Sequence, residues 1–327
     1  MATVAPEAIL HELAALWTQE GKLGDAGVLR ACSMTLLVLA EFEEDSAELA
    51  ETMAALMPEH PARSILVRVR QDGERAMSER VYQQCWKPFG QRQQICCEQI
   101  ELTASDAALA DLPSVILPLA VPDLPVILWC RSARLTRRGE FAGIAGTASK
   151  VVIDSAPAED AVDALERIAA AARNDGVIAD LAWTRLTRWR ETLARVFENR
   201  DTLARLPEVN RIRVSYGPGN ETAAWYLAAW AAGALESVGQ AVTPQVEKQG
   251  ESLRLELTGE GFQVSLSRDG ERLVAVVNEQ SNCTNLPRPT DYMLLREELG
   301  IVRRDDVFER TLASAARLAL ASRSGGA

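Results

Sequence analysis

The sequence predicts an α/β protein: two α/β domains with mixed sheets, each containing a strand–helix–three strands–helix unit, joined by a long amphipathic helix. Three observations carry this. The chain has 327 residues, past the roughly 250–300 at which one hydrophobic core stops growing. In its first half, apolar runs of strand length alternate with segments of helical period. After residue 199 the order of elements starts again, with no residue-level repeat. The border is set after residue 178. Residues 1–178 form an N-terminal α/β domain. Residues 179–327 form a C-terminal one that opens with the long helix and ends in a short flexible tail, SRSGGA.

In order, Ile9, Leu13, Leu16 and Trp17 recur at helical spacing, giving a first helix over 6–19. CSMTLLVL (32–39) is a buried strand, and 46–57 a helix with Leu49, Met53, Leu56 and Met57 inward. SILVRVR (64–70) alternates as a strand, and further strands cover 80–86 and 94–102. A helix over 105–119 is ended by prolines. VILWC (126–130) suits a central strand. KVVID (150–154) is another, followed by a helix over 159–173 and the long one over 180–199. The second pass has a strand at 211–216 and a helix at 221–235. Strands at 253–257, 262–266 and 272–277 then follow, joined by Gly-containing turns. Helices over 290–299 and 305–320 close the chain.

The net charge is -11, and residues 1–60 alone hold eleven acidic and two basic side chains. An acidic chain without a basic stripe repels phosphate backbones, so nucleic acid is excluded as a partner. The densest acidic run, EFEEDSAELAE from Glu41, is expected to be a solvated helix face. The most apolar stretch, Leu112–Cys130, carries four prolines and Asp123, which argues against a membrane span. No basic leader precedes an apolar run at the start. The six cysteines are scattered. Together these predict a cytoplasmic protein.

Catalytic patterns are sparse. The two histidines, His11 and His60, sit in no ligand spacing, and no GxSxG is present. Neither a catalytic set nor a cofactor or metal site is expected. The one phosphate-loop candidate is SYGPGNETAAW (215–225), where a strand enters a Gly-rich turn and a helix leaves it. Pro218 removes an N–H from that turn, and Glu221 puts a negative charge where a phosphate would lie. The preferred interpretation is a tight turn with Asn220 as helix cap. The alternative is a sugar-phosphate or nucleotide site, in an enzyme or sensor, on the 217–222 turn.

Two clusters are candidates for a protein interface. One is WTRLTRWR, with Trp183, Arg185, Arg188, Trp189 and Arg190 on a predicted helix. The other is RSARLTRR, with Arg131, Arg134, Arg137 and Arg138 just after a strand. Trp and Arg dominate interface hot spots, and the carboxyl end of a parallel strand is where ligands bind.

Cys96 and Cys97 are adjacent in a predicted strand, so they point to opposite faces. A shared metal or a disulfide between them is disfavoured. Each is expected to be a small buried hydrophobe. If either is redox-active its partner is a distant thiol, and Cys85, on the preceding predicted strand, is the natural candidate should the two strands pair.

Five motifs, taken together with the C-terminal half, then place the chain. They are HPARSILV from His60, QICCEQI from Gln94, LPLAVPDLPVILWCR from Leu117, KVVIDS from Lys150 and DLAWTRLTRWRE from Asp180. In this order the chain resembles the OpcA family of glucose-6-phosphate dehydrogenase assembly proteins. It departs at Cys130, where a second aromatic after Trp129 is expected. The resemblance implies a non-catalytic assembly factor or allosteric activator of glucose-6-phosphate dehydrogenase, serving the oxidative pentose phosphate pathway and NADPH supply. For some members it also implies redox control through thioredoxin. It assigns no residue roles.

Overall fold

The computed structural model describes residues 4–20, 28–71, 73–90, 93–173, 176–301 and 303–325. By contacts the chain divides into two compact units, Met1–Asp154 and Ser155–Ala327.

Unit 1 contains α1 (Pro6–Glu20), β1 (Val28–Arg30), β2 (Met34–Glu41), α2 (Ser46–Leu56), β3 (Ala62–Arg70), β4 (Met77–Trp86) and β5 (Gln94–Ser105). A 3-10 turn over Asp106–Asp111 leads into α3 (Leu112–Leu119), then β6 (Val126–Cys130), α4 (Phe141–Ala145) and β7 (Lys150–Ile153). The strands run in the order β1-β5-β3-β2-β6-β7. All these neighbours are parallel, and β4 adds to β5 antiparallel. The central strand β2 is buried from Met34 to Ala40. A parallel strand covered on both faces needs such an unbroken apolar run, which is why MTLLVLA shows no alternation. The helix expected over 105–119 is a 3-10 turn followed by α3, with Pro113 in the first turn of α3 and Pro118 inside it.

Unit 2 contains α5 (Ala161–Ala172), β8 (Val177–Asp180), α6 (Leu181–Thr184), α7 (Thr187–Val196), α8 (Arg200–Ala204), β9 (Val209–Tyr216), α9 (Glu221–Glu236) and β10 (Gln245–Lys248). It continues with β11 (Arg254–Gly259), β12 (Phe262–Asp269), β13 (Arg272–Val277), β14 (Gln280–Asn285), α10 (Asp291–Gly300) and α11 (Asp306–Gly325). The order β10-β9-β11-β12-β13-β14 makes a second sheet, parallel between β10 and β9 and antiparallel elsewhere. One face carries Ile212, Val214, Leu255, Leu257, Val264, Leu266, Leu273 and Ala275, all buried. The helix α5 packs on α9 and α11. The division by contacts falls after Asp154, and the border expected from the sequence, after residue 178, falls within β8.

Four expectations are corrected. The long helix over 180–199 does not form: α6 ends at Thr184 and α7 starts at Thr187. The reason lies in two indoles. Residues six apart on one straight helix point about 120° apart. Trp183 and Trp189 are both buried, so the chain breaks between them. Second, the repeated unit is longer in the second half, where β10 and β14 flank the three expected strands. Third, the last helix continues through Ser322–Gly325, where a loose tail was expected; Gly326 and Ala327 lie outside the described residues. Fourth, Asn220 precedes α9 without capping it: its side-chain amide donates to the Pro218 carbonyl at 3.1 Å.

Candidate functional site at the carboxyl ends of the parallel strands

The unit 1 strand order fixes where a ligand would sit. From β2 the chain winds outward to β3 and β5 on one side, then returns to place β6 and β7 on the other. The reversal lies between β2 and β6. In open α/β sheets the crevice at that point is where nucleotides bind, over a Gly-rich turn and a helix N-terminus.

Here the turn after β2 is Glu41-Phe42-Glu43-Glu44-Asp45 and contains no glycine. The Asp45 carboxylate caps α2, accepting from Ala47 N at 2.7 Å. Facing it, the segment after β6 supplies Arg131, Ser132 and Arg134. Arg134 donates from Nη2 to Glu41 Oε2 at 2.7 Å and from Nε to Glu41 Oε1 at 3.0 Å. Its Nη1 reaches both oxygens of Asp106, beyond β5, at 2.8 and 2.9 Å. The hydrogen bonds that Arg134 donates to Glu41, and then to Asp106, hold its guanidinium above its ordinary pKa despite partial burial. Arg131 pairs with Glu44 at 2.7 Å and lies over the Trp129 ring at 4.9 Å. The Ser132 hydroxyl donates to Glu41 and accepts from Leu135 N. Arg68, at the end of β3, donates to the carbonyls of Phe42 and Glu44.

These residues do not fit a dinucleotide phosphate. Carboxylates occupy the helix N-terminus, and the arginines that would meet an anion are paired to Glu41, Glu44 and Asp106. Ser132 is no activated nucleophile either, since the carboxylate it touches is held by Arg134. The arrangement is a lock that ties three strand ends together. The acidic run from Glu41, expected to be a solvated helix face, therefore supplies much of this lock.

The interface candidates separate by exposure. Arg131 and Arg134 belong to the lock, Arg138 is half-buried beside Glu140, and Arg137 is exposed. In unit 2, Trp183 and Trp189 are core residues, 3% and 4% exposed. Trp183 packs edge-on against Tyr226 and at a tilt against Phe308, ring centroids 5.9 Å apart in each case. The Arg190 guanidinium lies 3.6 Å over the Trp183 ring, and burial lowers its pKa. Arg185 is half-buried, and Arg188 is exposed beside Glu191. The aromatic and arginine density thus reports a cation–π packed core more than a surface.

Sequence reasoning missed a buried polar set in the same unit. Asp180 is fully buried and accepts from Ser155 N and Ala182 N, each at 3.0 Å, and from the Tyr226 hydroxyl at 2.8 Å. Burial first, then the Asp180 charge, raise the Tyr226 pKa well above its ordinary value. The only signal for this set was an Asp heading a helix.

The 217–222 turn serves packing. A Cβ on Gly217 would lie 2.3 Å from the Glu251 backbone, so glycine is required there by the neighbouring chain. Burial first, then the charge of Glu221 and its hydrogen bond with Tyr216, raise the tyrosine's pKa.

Cys85 and Cys96 are directly opposed across β4 and β5 and form a disulfide. Neither is therefore a simple buried hydrophobe. Cys97 is buried on its own, its thiol bonded to the Ala31 carbonyl, and burial pushes its pKa to about 11. Two residues beyond Cys96, the buried Glu98 receives Trp17 Nε1 and Arg63 Nε, each at 2.6 Å, and Arg30 at 2.9 Å. This carboxylate ties α1 and β1 to the sheet. Among the described residues no group of three or more His, Cys, Asp or Glu is placed to hold a metal ion.

Two family models match the chain: the glucose-6-phosphate dehydrogenase subunit N-terminal domain over residues 53–170, and the subunit's C-terminal domain over 177–312. The chain belongs to the OpcA family. Curated OpcA-family relatives agree. "Putative OxPP cycle protein OpcA" of Nostoc punctiforme is 31% identical over 142 residues, 43% of this chain and 30% of that protein. Its Synechocystis counterpart is 30% identical over the same shares. The matched part thus spans under a third of these relatives' length. Among solved structures, a point mutant of KijD10, a 3-ketoreductase from Actinomadura kijaniata, superposes with a TM-score of 0.51 at 11% identity. The match covers 91% of this chain and 98% of that one. A dehydrogenase from Chromobacterium violaceum gives 0.50 at 11% identity, covering 91% and 95%. These two likenesses show the fold alone. Within that fold, this OpcA-family chain fills the switch-point crevice with its own ion pairs.

Proposed function

We propose that this protein is a non-catalytic assembly factor and allosteric activator of glucose-6-phosphate dehydrogenase, supporting the oxidative pentose phosphate pathway. The carrying observation is the pairing of an OpcA-family chain with a switch point closed by Glu41, Arg134 and Asp106. An activator needs a surface that prefers the active state of its partner, not a cofactor crevice. The exposed Arg137 and Arg188 are candidates for that surface.

Redox control is the finer part of the proposal. In a cytoplasmic protein a disulfide is more often regulatory than structural. Cys96 is fully buried and Cys85 is not, so a dithiol reductant of the thioredoxin class attacks the Cys85 sulfur. It forms a mixed disulfide there and releases Cys96 as a thiol. The reductant's second thiol then resolves the bond, leaving two protein thiols and an oxidised reductant.

Co-purification with the host's glucose-6-phosphate dehydrogenase, with its rate measured with and without this protein, tests the reading. The expected outcome is a stable complex and a raised rate, weakened by Arg137→Glu and Arg188→Glu. Absence of both complex and rate change overturns it.

A further inference from the structure

We infer that β14 is a self-pairing edge: in a two-fold dimer it lies antiparallel against the β14 of a second copy of this chain, centred on Cys283, and joins two sheets into one.

The edge is open. β14 ends the second sheet and pairs with β13 alone. All six of its residues, Gln280–Asn285, are exposed, so among the described residues nothing covers them. An open strand edge is a template for another strand, and proteins that stay apart blunt it with charge, proline, a bulge or a covering helix. β14 has none of these. QSNCTN holds no charge and no proline, and its register with β13 runs unbroken from Val277↔Gln280 to Arg272↔Asn285. The edge strands β4 and β10 differ, carrying Glu79 with Arg80 and Glu247 with Lys248. In a chain of net charge -11, an uncharged edge is where a second copy meets least repulsion.

Register names the occupant. The two-residue turn Asn278-Glu279 makes Val277 and Gln280 a hydrogen-bonded pair. Bonded and non-bonded pairs then alternate along an antiparallel ladder. Leu286 N donates to the Glu271 carbonyl at 2.7 Å, one step past the strand and in the same phase. Gln280, Asn282 and Thr284 therefore bond back to β13, while Ser281, Cys283 and Asn285 turn their N–H and C=O groups outward. These outward groups match themselves. With the two-fold axis at Cys283, Cys283 faces its own copy, Ser281 faces Asn285 and Asn285 faces Ser281. Every outward backbone group of both strands is then paired. Sliding by two residues sets Asn285 against Glu279 in the turn, or Ser281 against Pro287, which has no N–H. Between the bonded pairs Asn282 faces Thr284, and side chains of this kind hydrogen-bond across strands. Closure of this sort under a two-fold axis defines an isologous contact. Six residues a side bury less than a standard interface, so the dimer is reversible. Both sheet faces stay open, and Cys283 remains within reach of small reagents.

Sedimentation equilibrium of the full chain alone tests this. The mean mass is expected to rise from one chain towards two between about 1 and 200 μM. Ser281→Pro removes an outward N–H and leaves the ladder to β13 intact. Cys283→Lys sets two like charges against each other across the axis. Each is expected to raise the dimer Kd about tenfold or more while keeping the wild-type Tm. The two Cys283 Cα atoms would lie about 5.5 Å apart, within disulfide reach. Diamide, taking two electrons and two protons from the two thiols, is therefore expected to give a covalent dimer. Cys283→Ser is expected to lose that link and keep the reversible dimer. A wild-type mass that stays at one chain overturns the inference, and so does a dimer that both β14 variants leave unchanged. A monomer whose binding to glucose-6-phosphate dehydrogenase is weakened by Ser281→Pro also overturns it, and gives the edge to that partner instead.

Discussion

At the residue scale, the same amino acid has unlike fates in this chain. Cys283 is exposed, Cys32 half-exposed, and Cys97 and Cys130 buried. Burial pushes the Cys97 thiol to about 11 and the Cys130 thiol to about 12. The thiolate is the nucleophile, so a raised pKa leaves almost none of it at pH 8. Alkylation of the native protein at pH 8, read by peptide mass spectrometry, is expected to mark Cys283 first. Cys97 and Cys130 stay unmodified, and Cys85 and Cys96 react only after a reductant. Rapid labelling of Cys130 would contradict the packing around β6. Legibility also varied by residue. The opposite facing of Cys96 and Cys97 followed from strand period, whereas the bridge to Cys85 was only the candidate should the strands pair, a small buried hydrophobe being the preferred expectation. Trp183 did not: one sequence does not distinguish an indole under Arg190 in a core from one offered to a partner.

At the scale of elements, strands with continuous or alternating apolar residues were legible to within a few positions. β6 and β13 match their expected bounds. The edge strands were not. β14, QSNCTN, is exposed along its whole length, so no buried face imprints a period of two upon it. The break between α6 and α7 was hidden because helical spacing persists on each side of it. The β4–β5 hairpin yields a stability prediction. Its disulfide joins residues 11 apart, and closing a loop of that size restricts the unfolded chain by about 3 kcal/mol. Urea unfolding of Cys96→Ser is expected to show a loss of about 2–4 kcal/mol against the oxidised wild type. In dithiothreitol the difference is expected to shrink. Equal stability in oxidising buffer would mean that the bridge does not form in solution.

At the scale of the whole molecule, composition and element order were enough for the α/β class and for two separate sheets. They were not enough for the switch point. Its partners come from three places far apart in sequence, Glu41–Glu44, Asp106 and Arg131–Arg134. Each alone looks like solvated charge. An acidic turn after one strand and a basic turn after another were both visible in the sequence. Only the strand order, which no local pattern encodes, brings them face to face.

That closed crevice has a practical consequence at the bench. Affinity chromatography on immobilised 2′,5′-ADP, a mimic of NADP, captures proteins through a vacant phosphate cradle. This chain, applied alone, is expected in the flow-through. Applied with the dehydrogenase, it is expected to stay on the column and to leave only when the dehydrogenase is eluted. One resin would then test two things at once, the closed crevice and the proposed partnership.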